Sequence, residues 1–100
     1  MTELYSDNTF TIFHTNDGYL LQNRSLPGFA HTHLKNYSTA KKLIEMSYKK
    51  KCPMDLSRYL LISLLRINED EKYLERIGQI LEMERKRDYY NKNKIMMGRR

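Results

Sequence analysis

Two periodicities of apolar residues divide the chain. The stretch from Asp55 to Ile67 is apolar on nearly every face of a helix: at about 3.6 residues per turn, Leu56, Tyr59, Leu60, Ser63, Leu64 and Ile67 form one stripe, and Leu61, Ile62 and Leu65 flank it. Such a helix needs more than one partner to cover it, so it is expected at the centre of the fold, capped by Asp55. Upstream, Tyr37, Ala40, Leu43, Ile44, Ser47 and Tyr48 recur at the three and four spacing of one amphipathic face, with Lys41, Lys42, Glu45 and Lys49 opposite. They predict a helix over about 37–51, ended by Lys49-Lys50-Lys51 and by Pro53, which disfavours the helical conformation at Cys52. Downstream, Tyr73, Leu74, Ile77, Ile80 and Leu81 predict a third helix over about 69–88. Asn68 is expected as its cap, Glu71 holds the reciprocal position, and Glu69, Asp70 and Glu71 suit the positive end of its dipole. Gly78 weakens this helix by about 1 kcal/mol relative to Ala unless another element approaches closely there.

Before residue 24 the spacing shortens to that of strands. Thr9-Phe10-Thr11-Ile12-Phe13 is β-branched and aromatic, Tyr19-Leu20-Leu21 answers it, and His14-Thr15-Asn16-Asp17-Gly18 links them, so a β-hairpin is predicted over 8–23. Phe10 and Ile12 share the face turned to the helices, and Thr9, Thr11 and Phe13 share the other. A lone hairpin is marginally stable and must dock. From Arg24 to Lys35, Pro27-Gly28 marks an ordered connection pinned by Leu26, Phe29 and Leu34. The expected fold is therefore α+β, an N-terminal β-hairpin packed on a three-helix bundle with a central apolar helix. It forms one domain over 1–88, followed by a basic tail over 89–100 in which the apolar period is lost and flexibility is expected.

Composition changes this picture little. With 40% apolar and 30% charged residues the chain is ordinary globular material. Cys52 is the single cysteine, so an internal disulfide is excluded and a reducing compartment fits. The first residues carry acids and no apolar signal-like run, and the longest uncharged run falls well short of the roughly 18 residues of a membrane span. A soluble, cytoplasmic protein with no membrane partner is expected.

Charge changes it more. The formal net charge of +6 is unevenly placed: up to Leu34 the only base is Arg24, whereas from Lys35 onward 17 Lys and Arg face 9 Asp and Glu. Lys41, Lys42, Lys49, Lys50, Lys51, Arg85, Lys86, Arg87, Lys92 and Lys94, interleaved with Tyr48, Tyr89 and Tyr90, have the composition that phosphate contact and base stacking require. Cations are also favoured at helix C-termini whatever the function, which explains part of their placement but not the excess in the tail. A helix-turn-helix reader is disfavoured, because the second helix of the tightest pair is the apolar central one, which cannot form the core and lie in a major groove.

Other chemistry is sparse. His31-Thr32-His33 places two imidazoles close together, and His14 could approach if the hairpin folds back. A metal needs three or four converging ligands, so a hydrogen-bonded structural role is favoured. Lys50 and Lys51 could lower the pKa of Cys52 and make it a nucleophile, but a cysteine before a proline at a helix end is more simply packing. No paired carboxylates and no Ser, His and Asp set can be placed together by spacing. No catalytic residue, metal site or cofactor is expected.

The segment from Phe29 to Tyr73 carries His31-Thr32-His33-Leu34-Lys35-Asn36-Tyr37, then Tyr59-Leu60-Leu61-Ile62-Ser63-Leu64-Leu65-Arg66-Ile67 and Asp70-Glu71-Lys72-Tyr73. In these it resembles short uncharacterised accessory proteins of conjugative and other mobile genetic elements of Gram-positive bacteria. The resemblance covers about half the chain and transfers no functional residue. It implies accessory work for an element: DNA handling, regulation, or defeating a host defence such as a CRISPR nuclease. With the charge distribution, it leads to the expectation of a small, basic, non-enzymatic protein that contacts nucleic acid or a nucleoprotein complex through the ends of helices one and three and the tail. The alternative is a protein-binding inhibitor or adaptor, of the anti-CRISPR type, acting on a nuclease complex or another host defence protein. Tyr and Arg dominate interface energetics, which is what supports it. Oligomeric state is left open.

Overall fold

The computed structural model describes residues 1–83. It contains four strands, β1 (Thr2–Ser6), β2 (Phe10–Thr15), β3 (Gly18–Asn23) and β4 (His31–Leu34), then α1 (Tyr37–Lys49), α2 (Arg58–Ile67) and α3 over 71–83. The strands form one antiparallel sheet in the order β1-β2-β3-β4. This corrects the expected hairpin on a three-helix bundle: the hairpin is only the middle of a four-stranded meander, and the arrangement is a sheet followed by three helices. The part of the expected third helix beyond residue 83 and the tail over 89–100 lie outside the described residues.

The two added strands flank the hairpin, and neither has the alternation of a strong strand. β4 reads His-Thr-His-Leu, with Thr32 and Leu34 buried and both histidines exposed. Its register, Leu21↔Thr32 and Tyr19↔Leu34, shows that a hydroxyl occupies an inward position. β1 pairs with β2 through an irregularity between Glu3 and Tyr5, which turns Tyr5 to oppose Ile12. Such a bulge twists an edge strand and blunts it against further pairing.

The β2–β3 loop is shorter than the expected link, since Thr15 pairs with Gly18 and only Asn16 and Asp17 remain between them. Gly18 has φ +140°, and a Cβ there would lie 2.6 Å from the Leu34 carbonyl oxygen. Backbone conformation and the neighbouring strand therefore both require glycine. In the connection to β4, Leu26 is buried, while Phe29 is exposed with φ 51°, so it is not the expected apolar pin.

One face of the sheet carries the helices. Phe10, Ile12, Leu21 and Leu34 pack against Ala40, Leu43 and Ile44 of α1, Leu61, Leu64 and Ile67 of α2, and Tyr73, Ile77 and Ile80 of α3. Thr32 Oγ1 donates to Ser63 Oγ at 2.8 Å, and Asn23 Nδ2 donates to the Ile67 carbonyl at 2.8 Å, so buried polar groups also join sheet to helix. Among the described residues, no buried side-chain nitrogen or oxygen lacks a partner.

The apolar stripe of α2 is rotated from the expected one. Leu61, Ser63, Leu64 and Ile67 are buried, whereas Tyr59 stays exposed and donates its hydroxyl to the His33 carbonyl. The sheet covers one side of α2, so the helix lies in a layer on β4 and α1 instead of at the middle of a bundle.

Three helix ends also differ from expectation. Ser57, not Asp55, caps α2, accepting from the Leu60 N–H at 3.3 Å. Asp70, not Asn68, caps α3, accepting from the Tyr73 N–H at 2.9 Å. Asn68 instead points into the core, where its Nδ2 donates to Ser47 Oγ and the Leu64 carbonyl. α1 stops at Lys49 because Lys50 takes the left-handed conformation, with φ 54° and ψ 40°, which returns its N–H to the Met46 carbonyl. No helix among the described residues is long and apolar enough to cross a membrane.

Candidate nucleic-acid interface

The outward stripe of α1 and the neighbouring edge of β1 bring three lysines and three tyrosines onto one surface. Tyr37, Lys41, Ile44 and Tyr48 recur at four, three and four residues along α1, so they align on one side of it. Tyr5 from β1 faces them, and with Lys42, Glu45 and Lys49 they line an open groove of about 720 Å³. Ile44 is buried beneath it, while Tyr48, expected on the inner face with Ile44, is 53% exposed.

Asp7 holds the β1 side in place. Its Oδ1 accepts the N–H groups of Thr9 and Phe10 at 2.8 and 2.7 Å, a turn that an Asp side chain makes with its own following backbone. Its Oδ2 accepts the Tyr5 hydroxyl at 2.8 Å, and the Arg24 guanidinium donates to its carbonyl oxygen. Burial pushes the Asp7 carboxyl up, but the Phe10 and Thr9 N–H groups, aided by neighbouring phenol hydroxyls, outweigh it and leave Asp7 below the usual carboxylate range. The same bond to Asp7, followed by burial, pushes the Tyr5 phenol up, so the ring stays neutral.

Charge and rings are coupled across the groove. Lys41 Nζ lies 3.6 Å from the centre of the Tyr5 ring, a cation–π contact that fixes the ammonium over one face of the phenol. Tyr48 meets Phe10 edge-to-face at 5.4 Å, and Tyr37 meets Tyr19 at 6.1 Å, so both rings are braced on the sheet. Lys49 pairs with Glu45 at 2.8 Å in an exposed contact of small energetic weight, and the hydrogen bond to Lys49 holds the Glu45 carboxyl below its ordinary range. Lys41 and Lys42 add two further ammoniums to the rim.

Of the residues singled out by charge, Lys41, Lys42 and Lys49 come together here, with Tyr48 between them. Lys50 and Lys51 lie past the end of α1. Lys50 leans over the Tyr73 ring at 5.5 Å and lines a separate cleft of about 490 Å³ with Thr9, Asn23 and Tyr48, and Lys51 is exposed. Arg85, Lys86, Arg87, Tyr89, Tyr90, Lys92 and Lys94 lie outside the described residues. Charge patterning singles out neither Tyr5 nor Tyr37. Tyr37 shares the spacing of Lys41 and Tyr48 and could be found from it, but nothing local in β1 announces that Tyr5 faces α1.

The other candidates separate. His31 and His33 meet edge-to-face at 5.4 Å on the exposed side of β4, with His31 Nδ1 3.4 Å from the Phe29 carbonyl. His14 packs instead on Tyr19, in the row of the sheet that alternates with His33. His14 and His33 line one cleft at the end of the sheet without His31, and no group of three or more His, Cys, Asp or Glu suited to a metal ion occurs among the described residues. Burial pushes the Cys52 thiol up, the opposite of what a thiolate nucleophile needs. Tyr73 beside it donates to the Lys51 carbonyl at 2.6 Å, and burial pushes its phenol up to about 12. This corner is packing between α3 and the end of α1. No protein-family model, curated protein or solved structure matches the chain.

Proposed function

We propose that the protein is a non-enzymatic accessory protein that contacts nucleic acid, free or within a nucleoprotein complex, through the outward face of α1. The observation that carries this reading is the groove itself, where Lys41, Lys42 and Lys49 surround a surface built of Tyr5, Tyr37 and Tyr48. Phosphates are bound by ammonium groups that displace condensed counterions, and the affinity of such binding falls steeply with salt. Lys51 adds an exposed ammonium past the end of α1.

Fluorescence anisotropy with labelled DNA and RNA tests it. Binding is expected at low salt, weakening log-linearly as salt rises. Changing Lys41, Lys42 and Lys49 together to Ala is expected to lower affinity and to flatten the salt slope by about 0.7 to 0.9 for each phosphate no longer neutralised. No detectable binding at low salt, or binding indifferent to salt, overturns the reading.

A further inference from the structure

We infer that the groove between β1 and α1 takes single-stranded nucleic acid, with unpaired bases stacked on Tyr37 and Tyr48 and the backbone running past Lys41, Lys42 and Lys49. This deepens the function proposed above and rests on it.

Duplex and single strand ask different things of a protein surface. A duplex hides the faces of its bases and offers phosphates and groove edges, so ammoniums on a convex helix are enough for it. A single strand exposes base faces, and proteins that take it combine a positive groove with aromatic rings. The surface here is of the second kind. Tyr5 of β1 lines one open depression together with Tyr37, Ile44 and Tyr48 of α1, and Lys41, Lys42 and Lys49 line it with them.

The rings are not equivalent. Lys41 occupies one face of Tyr5 at 3.6 Å, so Tyr5 acts as a positioning residue that holds the ammonium over the groove. Tyr37 and Tyr48 are left as the stacking platforms. Both touch the sheet, Tyr48 perpendicular to Phe10 at 5.4 Å and Tyr37 tilted on Tyr19 at 6.1 Å, which limits their rotation. An already immobilised ring loses little side-chain entropy when a base stacks on it.

Spacing fits as well. Tyr37 and Tyr48 are eleven residues apart on one helix, about 16 Å along its axis at 1.5 Å per residue. That span accommodates a few nucleotides, the short end of the site sizes found for single-strand grooves. The negative backbone of the ligand complements the excess of ammonium over carboxylate around the groove. Readout by stacking is tolerant of base identity, so weak sequence preference is expected.

The test compares a short oligothymidylate with a duplex of equal length by anisotropy, using the full chain at one salt concentration. Tighter binding of the single strand by about tenfold or more is expected. Tyr48→Leu and Tyr37→Leu are each expected to weaken single-strand binding by about 5- to 150-fold and to leave duplex binding unchanged, while Tyr48→Phe and Tyr37→Phe retain it. Tyr48, being largely exposed, is the position least prone to a folding defect, and the comparison of the two ligands on the unaltered protein needs no variant at all. Equal affinity for both ligands, or single-strand affinity unmoved by Tyr48→Leu and Tyr37→Leu, overturns this inference and leaves the proposed function standing. Absence of binding to either ligand overturns both.

Discussion

Thr32 Oγ1 donates a 2.8 Å hydrogen bond to Ser63 Oγ, and both residues are essentially inaccessible to water. This hydroxyl pair joins β4 to α2 at a place where two apolar side chains would be the usual choice. Thr32→Val removes the donor and leaves the Ser63 hydroxyl buried without it, so a loss of about 1–3 kcal/mol is expected in urea denaturation. Adding Ser63→Ala to it removes both partners and is expected to recover part of that loss, because neither side then buries an unpaired group. A double variant as unstable as the sum of the singles would show that the two hydroxyls are not coupled.

Leu64 and Leu60 lie four residues apart on α2 but differ in burial, Leu64 being fully enclosed and Leu60 only partly so. Leu64→Ala is expected to cost about 2–5 kcal/mol, while Leu60→Ala costs less than about 2 kcal/mol. Thermal melts of the two variants rank them. Equal costs would mean that α2 is rotated from the orientation in which Ser63 meets Thr32.

The Asp7 carboxyl has its folded pKa below the ordinary value of 3.8, so the charged form is favoured by the fold. The sign follows: its contribution is complete above the ordinary value and is lost as pH falls through that value toward the lowered one. Asp7→Asn keeps an oxygen for the Thr9 and Phe10 N–H groups but cannot ionise. The wild-type advantage over Asp7→Asn is therefore expected near neutral pH and to shrink below about pH 4. Denaturation of both proteins from pH 7 to pH 3 measures it, and a gap that does not narrow with acid excludes this role.

Gly18 and Gly78 are expected to respond in opposite directions to alanine. At Gly18 the positive φ and the nearby Leu34 carbonyl both resist a Cβ, so Gly18→Ala is expected to destabilise by more than about 1 kcal/mol. At Gly78 no other element among the described residues comes within 4 Å of where a Cβ would sit. Gly78→Ala is expected to stabilise by about 0.5–1 kcal/mol. Midpoint shifts of one sign for both substitutions would contradict this.

Local pattern made several elements legible. Phe10 and Ile12 alternate toward the core, opposite Asn23 and Leu21, and Asn16-Asp17-Gly18 closes that hairpin through side-chain and backbone preferences that act over a few residues. Ala40, Leu43 and Ile44, and later Tyr73, Ile77 and Ile80, bury the faces their spacing assigns them, because helical periodicity is set by the chain's own geometry. The lysines of the candidate groove were legible as charges on α1, but their spacing set them opposite Tyr37 and Tyr48, whereas Lys41, Lys42 and Lys49 line one surface with those two rings.

The rest depended on distance. β4 has no apolar alternation to announce it: Thr32 lies on the inward side with Leu34, and its buried hydroxyl is satisfied by Ser63, thirty-one residues later. β1 is a polar edge strand whose pairing exists only once β2 is in place, and its bulge is what turns Tyr5 to the row of Ile12 and toward Lys41. Asn68 left the cap expected of it because Ser47 and the Leu64 carbonyl offered buried bonds from across the fold, and Asp70 took its place. The sequence by itself determined which segments are helical, where the hairpin turns and where the positive charge lies, since these follow from forces between near neighbours. Only the tertiary structure decided that the hairpin becomes a four-stranded sheet and that β1 stands beside α1 to make a groove, because those contacts join residues that no local period relates.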